Sequence, residues 1–152
     1  MLYEEYVDAL PGYLQLYETN PGNANINYRI GVCYLNIPGQ KVKSVVYLEF
    51  ASKNTTPDYR EGNFNEDQAP IDAYYFLGNA YLMKGMVDES IEANLKALKL
   101  EEGFAVAHNN LAVAYLEKEH YAMAVQHCDK AVELGYEVAP EILKEIEKYR
   151  KK

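Results

Sequence analysis

Tryptophan is absent from this 152-residue chain, and cysteine and histidine are rare, with two and three copies. Cys33 and Cys128 are too few for a disulfide framework, and we expect both to be small buried apolar side chains. Zinc sites need about four convergent nitrogen, sulfur or oxygen ligands. His108, His120 and His127 form no carboxylate-plus-histidine cluster in the sequence. We therefore expect exposed or half-buried histidines and no metal.

Basic residues are outnumbered, with 15 lysines and arginines against 23 acidic residues and a formal net charge of −8. This balance argues against nucleic acid and anionic membrane surfaces as partners. No apolar run approaches the ~18 residues of a membrane span. The first residues carry no basic segment before an apolar one, so we expect no secretory signal and a cytoplasmic location.

Signals for catalysis are also missing. The chain has no glycine-rich phosphate-binding loop. Its sequence-adjacent acids, such as Glu4-Glu5 and Glu101-Glu102, are expected to be solvated, whereas paired acid and base groups need a desolvated cleft. We therefore expect no enzymatic activity and no cofactor.

What the chain does contain is a short pattern that recurs at a fixed spacing. Residues 77–81 (LGNAY) return as 111–115 (LAVAY), 34 positions later, and a third copy lies at 30–34 (IGVCY). Further small residues follow each copy at matching places: Ser44, Ser90 and Ala124, then Ala51, Ala97 and Ala131. A period near 34 predicts stacked helical hairpins, in which small residues allow close helix contact.

This pattern resembles the tetratricopeptide repeat family over nearly the whole chain. The resemblance implies one all-α domain, residues 1–152, built as a right-handed superhelical stack of antiparallel helix hairpins. The expected parts are a partial repeat (3–23), complete repeats (24–53, 71–104 and 105–138), a long inserted loop (52–70) and a C-terminal capping helix (139–152). Repeat solenoids need such a cap for solubility.

The inserted loop breaks the strict period. Ala51 and Gly78 are 27 residues apart, whereas the equivalent Ala97 and Ala112 are 15 residues apart. The interval between Ala51 and Gly78 therefore contains 12 extra residues. The segment is polar and rich in turn-forming residues, and long loops of this kind are often functional or mobile. Its aromatic side chains either pin it to the scaffold or contact a ligand, and both alternatives stay open: Tyr59 and Phe64.

The two halves resemble different branches of the family. Residues 25–36, the insert and residues 69–75 are similar to repeat segments of certain envelope-associated bacterial proteins. Residues 104–150 resemble a generic bacterial repeat with its terminal helix. A natural recombinant or an engineered fusion, with a changeover near 82–88, would explain the difference. The first half is thus compatible with a parent protein of the cell envelope.

The resemblance also implies a binding surface, because the first helix of each hairpin lines the concave side of such a superhelix. Tyrosine offers broad contact area, and asparagine can hydrogen-bond an extended peptide backbone. The predicted partner is therefore a protein or peptide. The predicted groove residues are Asn25, Tyr28, Val32, Asn36, Asp72, Tyr75, Asn79, Met83, Val106, Asn109, Asn110 and Val113.

Chaperone-binding members of the family clamp the terminal carboxylate of a peptide with lysine, asparagine and arginine. Asn79 and Asn110 correspond to two clamp asparagines, but the places of the cations hold Tyr28, Val32 and Tyr75. Without charge-assisted bonds the clamp is lost. We therefore expect a neutral or basic peptide rather than an acidic C-terminus.

Two other functions remain open. Residues 3–19 lack the helix that would cover them, so Leu2, Tyr6, Val7 and Leu10 could form an apolar edge. A homodimer through this N-terminal edge would make the chain a self-assembly module. Alternatively, the chain is a designed or fused scaffold without a natural ligand.

Overall fold

The computed structural model describes residues 3–59 and 67–150. The described residues form eight α-helices, a 3₁₀ turn and two short strands. These are α1 (Glu4–Thr19), α2 (Ala24–Asn36), the 3₁₀ turn (Lys41–Lys43), α3 (Ser44–Ser52), β1 (Thr55–Thr56), β2 (Ala69–Pro70), α4 (Asp72–Met83), α5 (Val87–Leu100), α6 (Ala105–Glu117), α7 (Tyr121–Glu133) and α8 (Pro140–Glu147). None of the described helices is both long enough and apolar enough to span a lipid bilayer.

The helices pair and stack in chain order. α2 packs on α3, α4 on α5 and α6 on α7, while α1–α2, α3–α4 and α5–α6 form the contacts between successive units. The only regular sheet in the described part of the chain is β1 with β2, which pair in parallel. The predicted all-α stack of helix hairpins is confirmed.

Small residues lie where the two helices of a hairpin approach most closely. A Cβ atom on Gly31 would lie 2.6 Å from Cγ of Leu48, and one on Gly78 would lie 2.2 Å from Nδ2 of Asn94. In the third hairpin Ala112 is fully buried at the equivalent place. A larger side chain at these places would force the two helices apart.

The second hairpin buries two polar side chains that lack full hydrogen bonding. Ser90 and Asn94 have no exposed surface, and within the described residues the Ser90 hydroxyl and the Asn94 amide oxygen have no partner. The corresponding residues of the third hairpin are the buried Ala124 and Cys128. Buried polar atoms without a hydrogen-bond partner lower the free energy of unfolding, so these two atoms destabilise the second hairpin relative to the third.

The helices at the two ends complete the stack. α1 joins the first core through Leu10, which packs with Ile26 and Ile30 of α2. At the other end Ile146 of α8 is fully buried in the core of the third hairpin. The ring of Tyr149 also stacks on Tyr121 with 3.7 Å between centroids. The final turn of the described chain is thereby tied to α7.

Both described ends of the inserted loop are attached to the start of α2. The Asp67 carboxylate accepts a hydrogen bond from the Ala24 backbone N–H. The Tyr59 hydroxyl accepts one from Nδ2 of Asn25 at 2.7 Å and one from Nη2 of Arg29 at 3.4 Å. These contacts favour the pinned alternative for Tyr59, while Phe64 lies outside the described residues.

Candidate functional site

The first helices of the three hairpins lie next to one another. α2 contacts α4, and α4 contacts α6. The rings of Tyr28 and Phe76 are 6.0 Å apart across the first junction, and Nδ2 of Asn110 donates to the Tyr75 carbonyl at 3.4 Å across the second. The predicted groove residues therefore occupy three neighbouring helices.

Most of these side chains are partly accessible to solvent. Met83 is the most exposed of them, at 53%. Partial exposure leaves surface for a ligand while packing restricts the rotamers, which lowers the entropic cost of binding. The half-buried members are Tyr28, Val32, Asn36, Asp72, Tyr75, Asn79, Val106, Asn109 and Val113.

Two predicted groove residues require correction. Asn25 has no exposed surface, because the inserted loop covers it and Tyr59 takes its amide hydrogen. Asn110 is 5% exposed, and its side-chain amide donates a hydrogen bond to the backbone carbonyl of Tyr75. Both side chains hold neighbouring segments together and offer a ligand almost no accessible surface.

Tyr75 lies at the middle of this surface. Burial raises the pKa of its hydroxyl, and the nearby Tyr136 and Asp72 add to the increase. Tyr136 comes from the connection between α7 and α8, so the C-terminal segment contributes an aromatic side chain to the surroundings of Tyr75. Sequence reasoning missed Tyr136 because it lies outside the helices that carry the repeat pattern.

Polar groups on this surface include an amide oxygen and a carboxyl. The Asn109 side-chain oxygen is buried and has no partner within 3–59 and 67–150. Burial raises the pKa of the Asp72 carboxyl, with Glu101 adding to the increase. The Asp72 carboxylate, which lies near Tyr75, can receive hydrogen bonds from a peptide backbone or a basic side chain.

A cleft of about 220 Å³ extends this surface toward the N-terminus, between α1 and α2. Tyr6 and Tyr13 of α1 line it together with Tyr28, Arg29 and Val32 of α2. Tyr6 and Tyr13 were not among the predicted groove residues. Their spacing of seven residues, which places them on one side of a helix, is the signal that could have identified them.

Two histidines form a pair that the sequence analysis did not predict. His108 and His127 are 8% and 9% exposed, so the expectation of exposed or half-buried side chains is wrong for both. Their Nδ1 atoms are 2.9 Å apart. Burial, with His108 adding to it, lowers the pKa of His127 to about 4. The hydrogen bond between the two rings links α6 to α7.

The pair could have been found from the repeat register. Tyr74 and Ala93 occupy the same two places one repeat earlier and belong to one packed cluster. Residues 34 positions later are therefore expected to face each other as well. Among the described residues, no group of three or more histidine, cysteine, aspartate or glutamate side chains is arranged to hold a metal ion.

The comparisons with known proteins agree with this geometry. A family model described as tetratricopeptide repeat matches residues 71–104 and 105–134. No curated protein matches the chain significantly. The first hairpin and α1 thus lie outside the family match, although they extend the same stack.

Solved structures match over most of the chain. A crystal structure of MamA protein has a TM-score of 0.70 at 19% identity and covers 87% of this chain. A second crystal structure of MamA has a TM-score of 0.70 at 19% identity over 86% of this chain and 69% of its own. The MamA RS-1 ArsTM double mutant has a TM-score of 0.69 at 24% identity, over 87% of this chain and 67% of its own.

At such identities the likeness is one of fold. The chain spans 65% of the length of the first MamA structure. Solenoids of this kind present extended surfaces to other proteins. Residues 71–104 and 105–134 are therefore tetratricopeptide repeats, and the chain as a whole has an all-α solenoid fold.

Proposed function

We propose that the chain is a non-catalytic scaffold that binds a segment of another protein across α2, α4 and α6. The supporting observation is the row of half-buried side chains on three adjacent helices, with Tyr75 at its middle. Solenoid repeats bind partners through such continuous surfaces. We call the retained residues the groove set: Tyr28, Val32, Asn36, Asp72, Tyr75, Asn79, Met83, Val106, Asn109 and Val113.

The groove set determines the kind of segment that fits. It contains no lysine or arginine and one carboxylate, Asp72. Tyr28 and Tyr75 supply aromatic area, and Asn79 and Asn109 supply amides that can pair with an extended backbone. The preferred ligand is therefore a neutral or basic peptide segment, held by tyrosine contacts and backbone hydrogen bonds.

Selection from a phage-displayed library of random peptides tests this proposal, with synthetic copies of the enriched peptides measured by fluorescence polarisation. Tyr75→Ala should weaken their binding by about tenfold or more, because buried tyrosines carry much of the energy of an interface. Leu95→Ala, at a 39% exposed side chain of α5, is the matched control. Equal losses in both variants, or a library without enriched peptides, would overturn the proposal.

A second candidate is self-assembly through α1. Tyr3, Val7 and Leu16 of this segment are 37%, 43% and 46% exposed, which is a large apolar fraction for an outer helix. Sedimentation velocity at increasing protein concentration tests this candidate. A concentration-dependent dimer that Val7→Glu abolishes would support it, and a monomer throughout would reject it.

A further inference from the structure

The outer surface of the first hairpin carries a row of exposed apolar side chains. Val42, Val46 and Phe50 are 68%, 63% and 41% exposed. They run from the 3₁₀ turn into α3 with a spacing of four residues, which places them on one side of the helix. We call these three residues the outer stripe.

The other two hairpins carry polar side chains or alanine at the same places. The register is set by the buried small residues Ser44, Ser90 and Ala124. The residues that correspond to the outer stripe are Asp88, Glu92 and Lys96 in the second hairpin and Ala122, Gln126 and Lys130 in the third. The fold therefore does not require apolar side chains at these places, and their exposure in one hairpin alone indicates an interaction surface.

A cleft of about 280 Å³ lies between α3 and the α4–α5 hairpin. Two of its lining residues, Glu49 and Lys53, follow Val46 and Phe50 by three positions and are therefore their neighbours along the chain's helical surface. Tyr74, Leu77 and Tyr81 of α4 line it with aromatic and apolar surface. Lys53 and Lys96 also line the cleft. The Lys96 ammonium lies 2.8 Å from the Glu92 carboxylate and is neutralised there.

Carboxylates outnumber ammonium groups in the lining of this cleft by three to two. The Tyr81 hydroxyl donates to Oε1 of Glu49 at 2.5 Å. Its pKa is raised by burial, by that hydrogen bond, and by the charges of Glu49, Glu89 and Glu92. Three carboxylates from two hairpins thus converge on one phenol, beside the ring of Tyr74. A cationic side chain is the complement of such a site, through charge-assisted hydrogen bonds and cation–π contact.

We propose that the outer stripe and the adjacent cleft dock an amphipathic helix of a partner protein that carries lysine or arginine along one edge of its apolar face. Apolar residues one turn apart on that helix match the spacing of Val42, Val46 and Phe50. One cation on its edge enters the cleft and meets Glu49 and Glu89. The net charge of −8 favours a basic partner as well.

This surface is separate from the proposed groove. The outer stripe lies on the second helix of its hairpin and on the turn before it, whereas the groove set lies on first helices. The cleft uses side chains of α4 as well, but no residue of the groove set lines it. A variant of one surface is therefore not expected to change binding at the other. The two proposals can fail independently.

The test uses a fluorescein-labelled synthetic helix of about 18 alanine-rich residues, with leucines one turn apart and arginines on one edge. Its matched partner carries glutamates in place of the arginines. Fluorescence anisotropy at about 150 mM salt should show binding of the basic peptide only. Val46→Glu introduces at an exposed position the residue that the second hairpin has at the equivalent position, Glu92. It should weaken binding by about tenfold and leave the circular dichroism spectrum unchanged. Glu49→Gln should weaken it and reduce its salt dependence.

Val132→Glu is the control, because Val132 is 50% exposed on α7, away from the cleft. We expect it and the groove variant Tyr75→Ala to bind the basic peptide as the unmodified chain does. Equal binding of the two peptides, or equal effects of Val46→Glu and Val132→Glu, would overturn the proposal. Self-association that Val46→Glu abolishes would assign the surface to a second copy of the chain and would also overturn it.

Discussion

Acidification should destabilise this chain through the histidine pair that joins α6 to α7. The pKa of His127 is lowered to about 4 from an ordinary value of 6.5, by burial and by His108. Between these two values the unfolded chain binds more protons than the folded chain. The free energy of unfolding therefore falls as the pH falls through this window.

The size of the effect follows from the two pKa values. Between about pH 7 and pH 5, a pKa of about 4 in the folded chain corresponds to a loss of about 2 kcal/mol. The Asp129 carboxyl contributes little in this interval. Its hydrogen bond with Arg150 lowers its pKa from 3.8, so its contribution to stability is lost at lower pH.

Urea unfolding at both pH values, followed by far-ultraviolet circular dichroism, measures this loss. The control is His127→Ala. Alanine is the residue at the equivalent position of the second hairpin, Ala93. The variant is less stable at both pH values because it loses packing, but it no longer has the titrating group. Its loss between pH 7 and pH 5 should be smaller than that of the unmodified chain by about 2 kcal/mol.

The result that would refute this reasoning is an equal pH dependence of the two proteins. Equal slopes would mean that His127 has the same proton affinity in the folded and unfolded chain. The 2.9 Å contact between the two rings would then not exclude a second proton. A larger slope in the variant than in the unmodified chain would be equally inconsistent with the mechanism.

Two further predictions concern the second hairpin and use the same unfolding assay. Ser90→Ala should raise the free energy of unfolding by about 1 kcal/mol, because it removes a buried hydroxyl without a partner; a loss of stability would show that the hydroxyl is satisfied. Gly78→Leu should lower it by about 3 kcal/mol, because even a Cβ there would lie 2.2 Å from Nδ2 of Asn94. An unchanged free energy of unfolding for that variant would show that the assigned contact between α4 and α5 is wrong.

The hairpin stack was predictable because the small residues that allow close helix contact recur in the sequence. Gly31, Gly78 and Ala112 are small because two helices touch there, and three copies in register distinguish such a pattern from chance. The same register was sufficient to place His108 opposite His127. That pair was missed because the search for ligands considered spacing within one helix and not across a hairpin.

The burial of Asn25 had no signal in the repeat. It follows from the docking of Tyr59, which belongs to an insert outside the periodic pattern, so no position in the register describes that contact. Tyr136 is similar, because it lies in a connection whose path depends on how α8 packs. Contacts between side chains at repeat-equivalent positions could be predicted from the sequence. Contacts made by segments outside the repeat, such as the inserted loop and the connection between α7 and α8, could not.

The hydrogen bond from the Ala24 backbone to Asp67 spans 43 residues, in a fold whose other units are closed mainly by neighbours. During synthesis the first hairpin therefore cannot complete the start of its leading helix until residue 67 has emerged from the ribosome. The first turn of this helix is thus completed by a carboxylate that is synthesised long after the helix itself.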